Sequence, residues 1–116
     1  MTFSYTTSVQ NGITVFKLEG EIIDKYQTTG LTDQINQLIL SGKKRIVLEL
    51  VGVRYMNSSG LNVLVNILTK ARNAGGDVTV CNLSPKVREL LVVTKLDTIF
   101  HILPTVDEAI RKLKAE

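Results

Sequence analysis

Apolar and polar residues alternate at the start of the chain, over residues 3–9, and a second β-rich run follows over residues 13–19. Between the two runs, Asn11 and Gly12 suit the positive φ angles of a tight type I′ turn. The pattern therefore predicts two antiparallel strands joined as a hairpin. The second run has apolar side chains at both odd and even positions, so we expect other elements to pack against both of its faces.

Two longer segments repeat apolar residues at helical spacing, and each is followed by a strand-like run. The helical segments are residues 31–39 and 61–71, and the runs are residues 46–50 and 78–81. Gly42 follows the first segment, where a glycine fits the left-handed position beyond a helix C-terminus. Each segment with its run predicts a helix leading into a strand.

Two further helices are predicted towards the C-terminus. Ser84 followed by Pro85 is typical of an N-cap with proline at the first helical position. Thr105 and Glu108 have the spacing of a capping box and open the last helix. The apolar residues 98–103 between these helices predict a short strand or a buried segment.

The order of these elements indicates an α/β fold. Strands linked by helices run parallel through right-handed crossovers, so the sheet is mixed, with the antiparallel hairpin at its start. We expect four to five strands and about four helices. The chain of 116 residues shows no internal repeat or linker, so we expect one domain over residues 1–116.

Charge and hydropathy exclude two classes of partner. The net charge is +3, from 14 Lys and Arg against 11 Asp and Glu, and the chain has no Trp. A charge this small and scattered, without stacking platforms, predicts no nucleic-acid partner. The N-terminus does not resemble a signal peptide, and no apolar run is long enough to span a bilayer. We therefore expect a cytoplasmic protein with no membrane insertion.

Cys81 is the only cysteine and His101 the only histidine. They cannot supply the ligand set of a structural or catalytic metal site, so we expect no metal and no cofactor. Cys81 lies in a strand-like run and is expected to be a buried, inert thiol. His101 lies in an apolar run and is expected to pack in the core.

The segment Asn57-Ser58-Ser59-Gly60, which we call the serine turn, places small polar residues directly before the second apolar helix. The first turn of a helix carries unpaired N–H groups and partial positive charge, so it tolerates an anion such as a phosphate on a serine. A simpler alternative is that Asn57 or Ser58 is an N-cap and that Gly60 eases the turn. Chemistry alone leaves both readings open.

An exposed serine between a strand and a helix is also the position of a hydrolase nucleophile. That arrangement requires Gly-x-Ser-x-Gly, together with a histidine base and an acid. The glycine pattern is missing here, and the only histidine lies in an apolar run. We therefore expect no catalytic residue, and no enzyme.

Several short motifs together resemble the STAS domain of bacterial anti-sigma factor antagonists over nearly the whole chain. They are Gly20-Glu21 with Asp24 after the second strand, the serine segment with Leu61 after the third, residues 80–87, and Thr94-Lys95-Leu96. The resemblance implies the STAS fold, a mixed sheet covered by helices.

The resemblance also implies a regulatory switch. In that family, an anti-sigma factor that is itself a serine kinase phosphorylates the second serine of an Asp-Ser-Ser-Gly motif, which by position is Ser59. A PP2C-type phosphatase removes the phosphate. The unphosphorylated antagonist binds the anti-sigma factor and frees the sigma factor, whereas the phosphorylated antagonist does not bind. The implied partners are therefore this kinase and this phosphatase.

The implied partner-binding residues lie around the serine turn: Asp24, Asn57, Ser58, Ser59, Gly60, Leu61 and Asn62. Asn57 stands where the family most often has Asp and, being neutral, repels a new phosphate less. The loop at Asp24 is about one residue longer than the family's Gly-x-Leu-Asp pattern, and Asp24 is equally explained as a helix cap. Leu61 has the alternative of core packing.

The same fold serves other partners, so fold alone does not decide the function. Small STAS proteins also resemble accessory subunits of lipid-transport ABC systems, and STAS domains occur in stressosome scaffolds and anion transporters. The retained Ser59 favours phosphoregulation. The oligomeric state is left open.

Overall fold

A five-stranded sheet forms the centre of the computed structural model, which describes residues 2–115. Its spatial order is the chain order. The strands are β1 (Phe3–Gln10), β2 (Ile13–Ile22), β3 (Arg45–Met56), β4 (Asp77–Cys81) and β5 (His101–Leu103). The helices are α1 (Thr29–Leu40), α2 (Ser58–Asn73), α3 (Pro85–Val93) and α4 (Val106–Lys114). The predicted α/β fold with a mixed sheet is confirmed.

The first two strands form the predicted hairpin. Asn11 and Gly12 have φ angles of 54° and 78°, as the type I′ turn requires, and Gln10 pairs with Ile13 in antiparallel register. The pairs β2–β3, β3–β4 and β4–β5 are all parallel. The carboxyl ends of neighbouring parallel strands lie at the same end of the sheet. The residues that follow β2 and β3, which we call the strand exits, therefore lie side by side.

Both faces of the sheet are covered, as the double-sided pattern of β2 predicts. Residues of α1, α2 and α3 share one buried cluster with Phe16, Ile46 and Leu48. Residues of α4 share a second cluster with Val15 and Val47. Successive strand residues point to opposite faces, which explains why adjacent residues of β3 join different clusters. The serine turn, which opens α2, lies on the face that α1, α2 and α3 cover.

Strand β3 is longer than the sequence pattern predicts. The apolar pattern predicts a strand only over residues 46–50, but β3 continues to Met56. Its second half pairs with the end of β2 after two register shifts, so that Ile22 lies opposite Met56. Each shift adds one residue to β3, which breaks the alternation that marks a strand in sequence. One residue, Asn57, then separates β3 from α2.

The predicted helix caps are present in the structure. The hydroxyls of Ser84 and Thr105 accept hydrogen bonds from backbone N–H groups three residues on, at 3.3 and 3.2 Å. Gly42 follows α1 with a φ of 89°, in the left-handed region. A 3₁₀ turn over Lys25–Thr28 precedes α1, a feature that the sequence pattern did not predict.

The expectation that His101 packs in the core is wrong. Its side chain is 40% exposed, and its Nε2 lies 3.5 Å from Oδ2 of Asp77. The physical reason is position: β5 has three residues and forms an edge of the sheet, so only one side of its backbone is covered. His101 therefore pairs with a carboxylate at this edge.

Candidate functional site

The serine turn is built on Asn57, the single residue between β3 and α2. Its side-chain Oδ1 accepts a hydrogen bond from the Gly60 N–H at 3.2 Å, which makes it the N-cap of α2. Its side-chain Nδ2 donates to the carbonyl of Ile23 at 3.0 Å, just beyond β2. The capping alternative is confirmed for Asn57. The second bond joins the exits of β2 and β3.

Gly60 lies beneath the turn and is buried. A Cβ atom at this position would collide with the carbonyl oxygen of Ile22 and lie 2.9 Å from the Met56 Cβ. Real Cβ atoms do not approach other atoms so closely, so α2 can begin against β2 only with glycine here. Gly60 therefore sets how close the serines lie to the β2 exit.

Asp24 caps the 3₁₀ turn that leads into α1. Its Oδ1 accepts a hydrogen bond from the Tyr26 N–H at 2.6 Å. The Gln27 side chain reaches back, and its Oε1 accepts from the Asp24 N–H at 3.1 Å. Together these bonds form a capping box. The capping alternative for Asp24 is confirmed, and its exposed side chain also lines the groove beside Ser59.

Ser58 and Ser59 line two different grooves on either side of the α2 N-terminus. Ser59 lines a groove of about 470 Å³ between the 3₁₀ turn and α2, together with Asp24 and Asn62. Ser58 lines a largely apolar groove of about 450 Å³ between β3 and α3, beside Tyr55. A group attached to Ser59 is therefore placed at the groove that Asp24 and Asn62 line, and one attached to Ser58 at the more apolar groove beside Tyr55.

The implied partner-binding residues divide into surface and core. Asp24, Ser58, Ser59 and Asn62 line the grooves, and Asn57 ties the turn together. Leu61 is only 6% exposed and belongs to the main core cluster, as its packing alternative predicts. Gly60 is also buried, so both residues support the surface from beneath.

Other residues of the surface were not singled out by the sequence. Tyr26 is 76% exposed on the rim of the Ser59 groove, and the Lys25 ammonium lies 5.4 Å from its ring centroid. Asn66 completes the α2 side. The signal for Asn66 was helical spacing, because residues three and seven positions after Ser59 share its face. An aromatic residue in a polar loop was the signal for Tyr26.

The thiol of Cys81 is buried, as predicted. Burial and then the charge of Glu49 raise its pKa from 9.0 to about 12, so the reactive thiolate is disfavoured. No group of three or more His, Cys, Asp and Glu within residues 2–115 could hold a metal ion. None of the helices in that part of the chain is long and apolar enough to cross a membrane.

His101 lies far from the serine turn. In the register of the sheet, His101 lies opposite Thr79 of β4, and Thr79 lies opposite Val47 of β3. From Val47 to Met56, where β3 meets the serine turn, the strand covers about 30 Å at about 3.3 Å per residue. The only histidine of the chain is therefore placed at the opposite end of the parallel strands from Ser59.

Comparison with known proteins agrees with this geometry. The STAS domain family model matches residues 4–109. The anti-sigma F factor antagonist of Paenibacillus polymyxa is 30% identical over 103 residues, which cover 88% of this chain and 85% of that protein.

Solved structures share the fold. An anti-sigma factor antagonist from Mycobacterium paratuberculosis superposes with a TM-score of 0.83 at 24% identity, over 97% of this chain and 95% of that chain. The Bacillus cell fate determinant SpoIIAA in its phosphorylated form superposes with a TM-score of 0.73 at 21% identity, over 94% and 98%. On the extent of the family match, this chain belongs to the STAS domain family.

Proposed function

We propose that this chain is a cytoplasmic anti-sigma factor antagonist controlled by phosphorylation of Ser59. The unphosphorylated form binds an anti-sigma factor that is a serine kinase, and the sigma factor is released. Phosphorylation of Ser59 by that kinase prevents binding, and a PP2C-type phosphatase restores it. The chain itself is a binding protein and a phosphorylation substrate rather than an enzyme.

One observation carries this proposal: Ser59 is the second residue of α2 and lines a groove whose other residues are suited to contact a protein. Tyr26 offers an exposed aromatic ring, while Asp24 and Asn62 offer polar groups on either side. Aromatic residues surrounded by polar groups are typical of protein interfaces. The relatives named anti-sigma factor antagonists support the same assignment.

A phosphate at Ser59 is expected to block this surface without unfolding the domain. It adds about −1.5 to −2 charges and three oxygens to a groove that Asp24 also lines. The start of α2 provides N–H groups with no partner inside the helix, and these accommodate negative charge. A relative with this fold in a phosphorylated form supports the expectation. Exclusion of the partner is therefore steric and electrostatic.

The kinase must supply the chemistry of phosphoryl transfer, because the serine turn has no histidine base of its own. His101 lies at the other end of the parallel strands. In phosphoryl transfer, the kinase contributes ATP, metal ions and the residue that accepts the hydroxyl proton. This placement supports Ser59 as a substrate. The names of the relatives favour this function over the alternative of an ABC transport accessory, which remains a prediction.

The test is the affinity for the anti-sigma factor kinase encoded in the same genome, measured by calorimetry without ATP. Ser59→Ala should bind as tightly as the unmodified protein, because the small hydroxyl is not needed for docking. Ser59→Asp should bind at least about tenfold more weakly, since a carboxylate is added to the groove that Asp24 also lines; this loss corresponds to about 1.4 kcal/mol. Ser58→Asp is the matched comparison: it adds the same charge one residue away, at the groove beside Tyr55, and should bind more tightly than Ser59→Asp.

With ATP present, Ser59→Ala should stay bound while the unmodified protein is phosphorylated and released. Equal affinities of Ser59→Ala and Ser59→Asp would contradict the role of Ser59. If phosphorylation unfolds helix α2, the helical circular dichroism signal decreases. That result would contradict the proposal that the phosphate excludes the partner without unfolding the domain.

A further inference from the structure

Two side-chain amides hold the backbone at the exit of β2. The Gln27 Oε1 accepts hydrogen bonds from the N–H groups of Ile23 at 2.9 Å and Asp24 at 3.1 Å, and its Nε2 donates to the Glu21 carbonyl at 3.2 Å. On the other side, the Asn57 Nδ2 donates to the Ile23 carbonyl at 3.0 Å. We call these two side chains, Gln27 and Asn57, the amide clamp.

Both ends of the Asn57 amide are needed. The Gly60 N–H can only donate and the Ile23 carbonyl can only accept, so the amide must present its oxygen to the first and its nitrogen to the second. A serine at this position keeps the cap but has too short a side chain for both bonds. An aspartate also keeps the cap, but its ionised carboxylate cannot donate and would face the Ile23 carbonyl.

The clamp holds one wall of the Ser59 groove. This wall, residues 24–26, follows Ile23 directly and carries Asp24, Lys25 and Tyr26 into the groove. The opposite wall is the first two turns of α2, which begin at the Asn57 cap. The bond from Asn57 to Ile23 therefore connects the two walls through one residue.

We propose that Asn57 is a positioning residue for the partner-binding surface, acting through the Ile23 carbonyl to hold residues 24–26 at a fixed separation from Ser59. The proposal rests on the proposed function, since it assigns the groove to the anti-sigma factor. A partner that contacts Tyr26 and α2 together then meets a surface that is already ordered. Residues 24–26 therefore lose less conformational entropy when the partner binds. Loss of the Asn57 side-chain bond leaves every contact residue present and weakens the hold on one wall, which Gln27 and the bond from the Asn57 N–H to the Ile22 carbonyl still anchor in part.

Three variants separate the clamp from capping and from charge. Asn57→Ser and Asn57→Asp both retain an N-cap of comparable strength, and both remove the bond to Ile23. Asn62→Asp is the control for charge, because it adds one negative charge to the Ser59 groove at an exposed position of α2 and leaves both Asn57 side-chain bonds in place.

The first readout is the hydrogen-exchange rate of individual backbone amides, which NMR measures on each variant protein without a partner. In both Asn57 variants, the amides of Asp24 and Tyr26 should exchange about tenfold faster than in the unmodified protein, as expected when a local hydrogen bond that limits opening is lost. The Gly60 amide should keep its protection, because the cap remains. Unchanged exchange at Asp24 and Tyr26 in both variants would overturn the proposal.

The second readout is affinity for the anti-sigma factor kinase. Asn57→Ser should bind about tenfold more weakly although it adds no charge, and Asn57→Asp should bind more weakly than Asn62→Asp, which adds the same charge and keeps the Asn57 bonds. Full affinity of Asn57→Ser, with faster exchange at Asp24, would also overturn the proposal. The exchange experiment needs no partner, so failure of the clamp is distinguishable from failure of the proposed function, which the Ser59 variants test.

Discussion

At the residue scale, the site depends on the glycine that lies beneath the serine turn. Gly60 is buried, and a Cβ there would meet the Ile22 carbonyl and the Met56 side chain. Gly60→Ala should lower the free energy of unfolding by about 2 kcal/mol, because backbone and core atoms must both shift to admit one methyl group. Urea unfolding followed by circular dichroism measures the loss.

The control for this prediction is Gly30, in the first turn of α1. The nearest atom to a Cβ at Gly30 is the Tyr5 hydroxyl at 3.8 Å, an ordinary contact. Gly30→Ala should therefore raise the free energy of unfolding by about 0.5 kcal/mol, since alanine loses less backbone entropy in a helix. An equal effect of the two substitutions would show that Gly60 is not sterically required.

Cys81 tests the burial of the second core cluster. Its pKa is raised to about 12, so at about pH 8 the native thiol should react with Ellman's reagent at least about a hundredfold more slowly than in denaturing guanidinium. Between pH 9 and pH 12 the unfolded chain loses this proton and the folded chain keeps it. The stabilising contribution is therefore present below pH 9 and lost as the pH rises to 12. Rapid labelling of the native protein would contradict this burial.

At the element scale, different helices cover the two faces of the sheet. Helix α4 covers one face with Ala109, Ile110 and Leu113, and the serine turn lies with α2 on the other. Ile110→Ala should cost about 2–4 kcal/mol of unfolding free energy, as for other buried aliphatic truncations. Lys112, two residues away, is exposed. Lys112→Ala should therefore change the free energy of unfolding by less than about 0.5 kcal/mol.

Because α4 does not line the Ser59 groove, the folded Ile110→Ala protein should bind the anti-sigma factor with unchanged affinity. Calorimetry at a temperature well below its unfolding transition measures this. A large loss of affinity with intact helical circular dichroism would mean that the α4 face also contacts the partner.

Local sequence signals were sufficient for the elements that they specify. Asn11-Gly12 predicted the hairpin because its residues favour positive φ angles, and the caps at Ser84 and Thr105 predicted two helix starts. The apolar spacing between Leu61 and Ala71 predicted α2, and both residues are buried. In each case the physical cause acts within a few residues along the chain.

Features that depend on distant parts of the chain were missed. The second half of β3 exists because it pairs with the end of β2, and its bulges hide the alternation. The bond from Asn57 to Ile23 joins residues 34 positions apart, so the sequence could predict the cap but not the clamp. His101 was misplaced because an apolar neighbourhood does not reveal an edge strand.

At the scale of the whole molecule, the fold places the serine turn where two parallel strands end, outside the buried clusters. The parallel strands β2 and β3 deliver their exits to one edge of the sheet, where Asp24 and the serines meet. The buried clusters lie on the two faces behind this edge. We therefore expect a charge added at Ser59 to change the surface and to leave the core packing in place.

The most direct test of this account is peptide mass spectrometry of the protein recovered from its native host in several growth states. The account predicts phosphate on the peptide that contains Ser59, assigned to Ser59 rather than Ser58, in some states and its absence in others. Phosphate confined to Ser58, or no phosphate in any state together with a copurifying ABC ATPase, would contradict it.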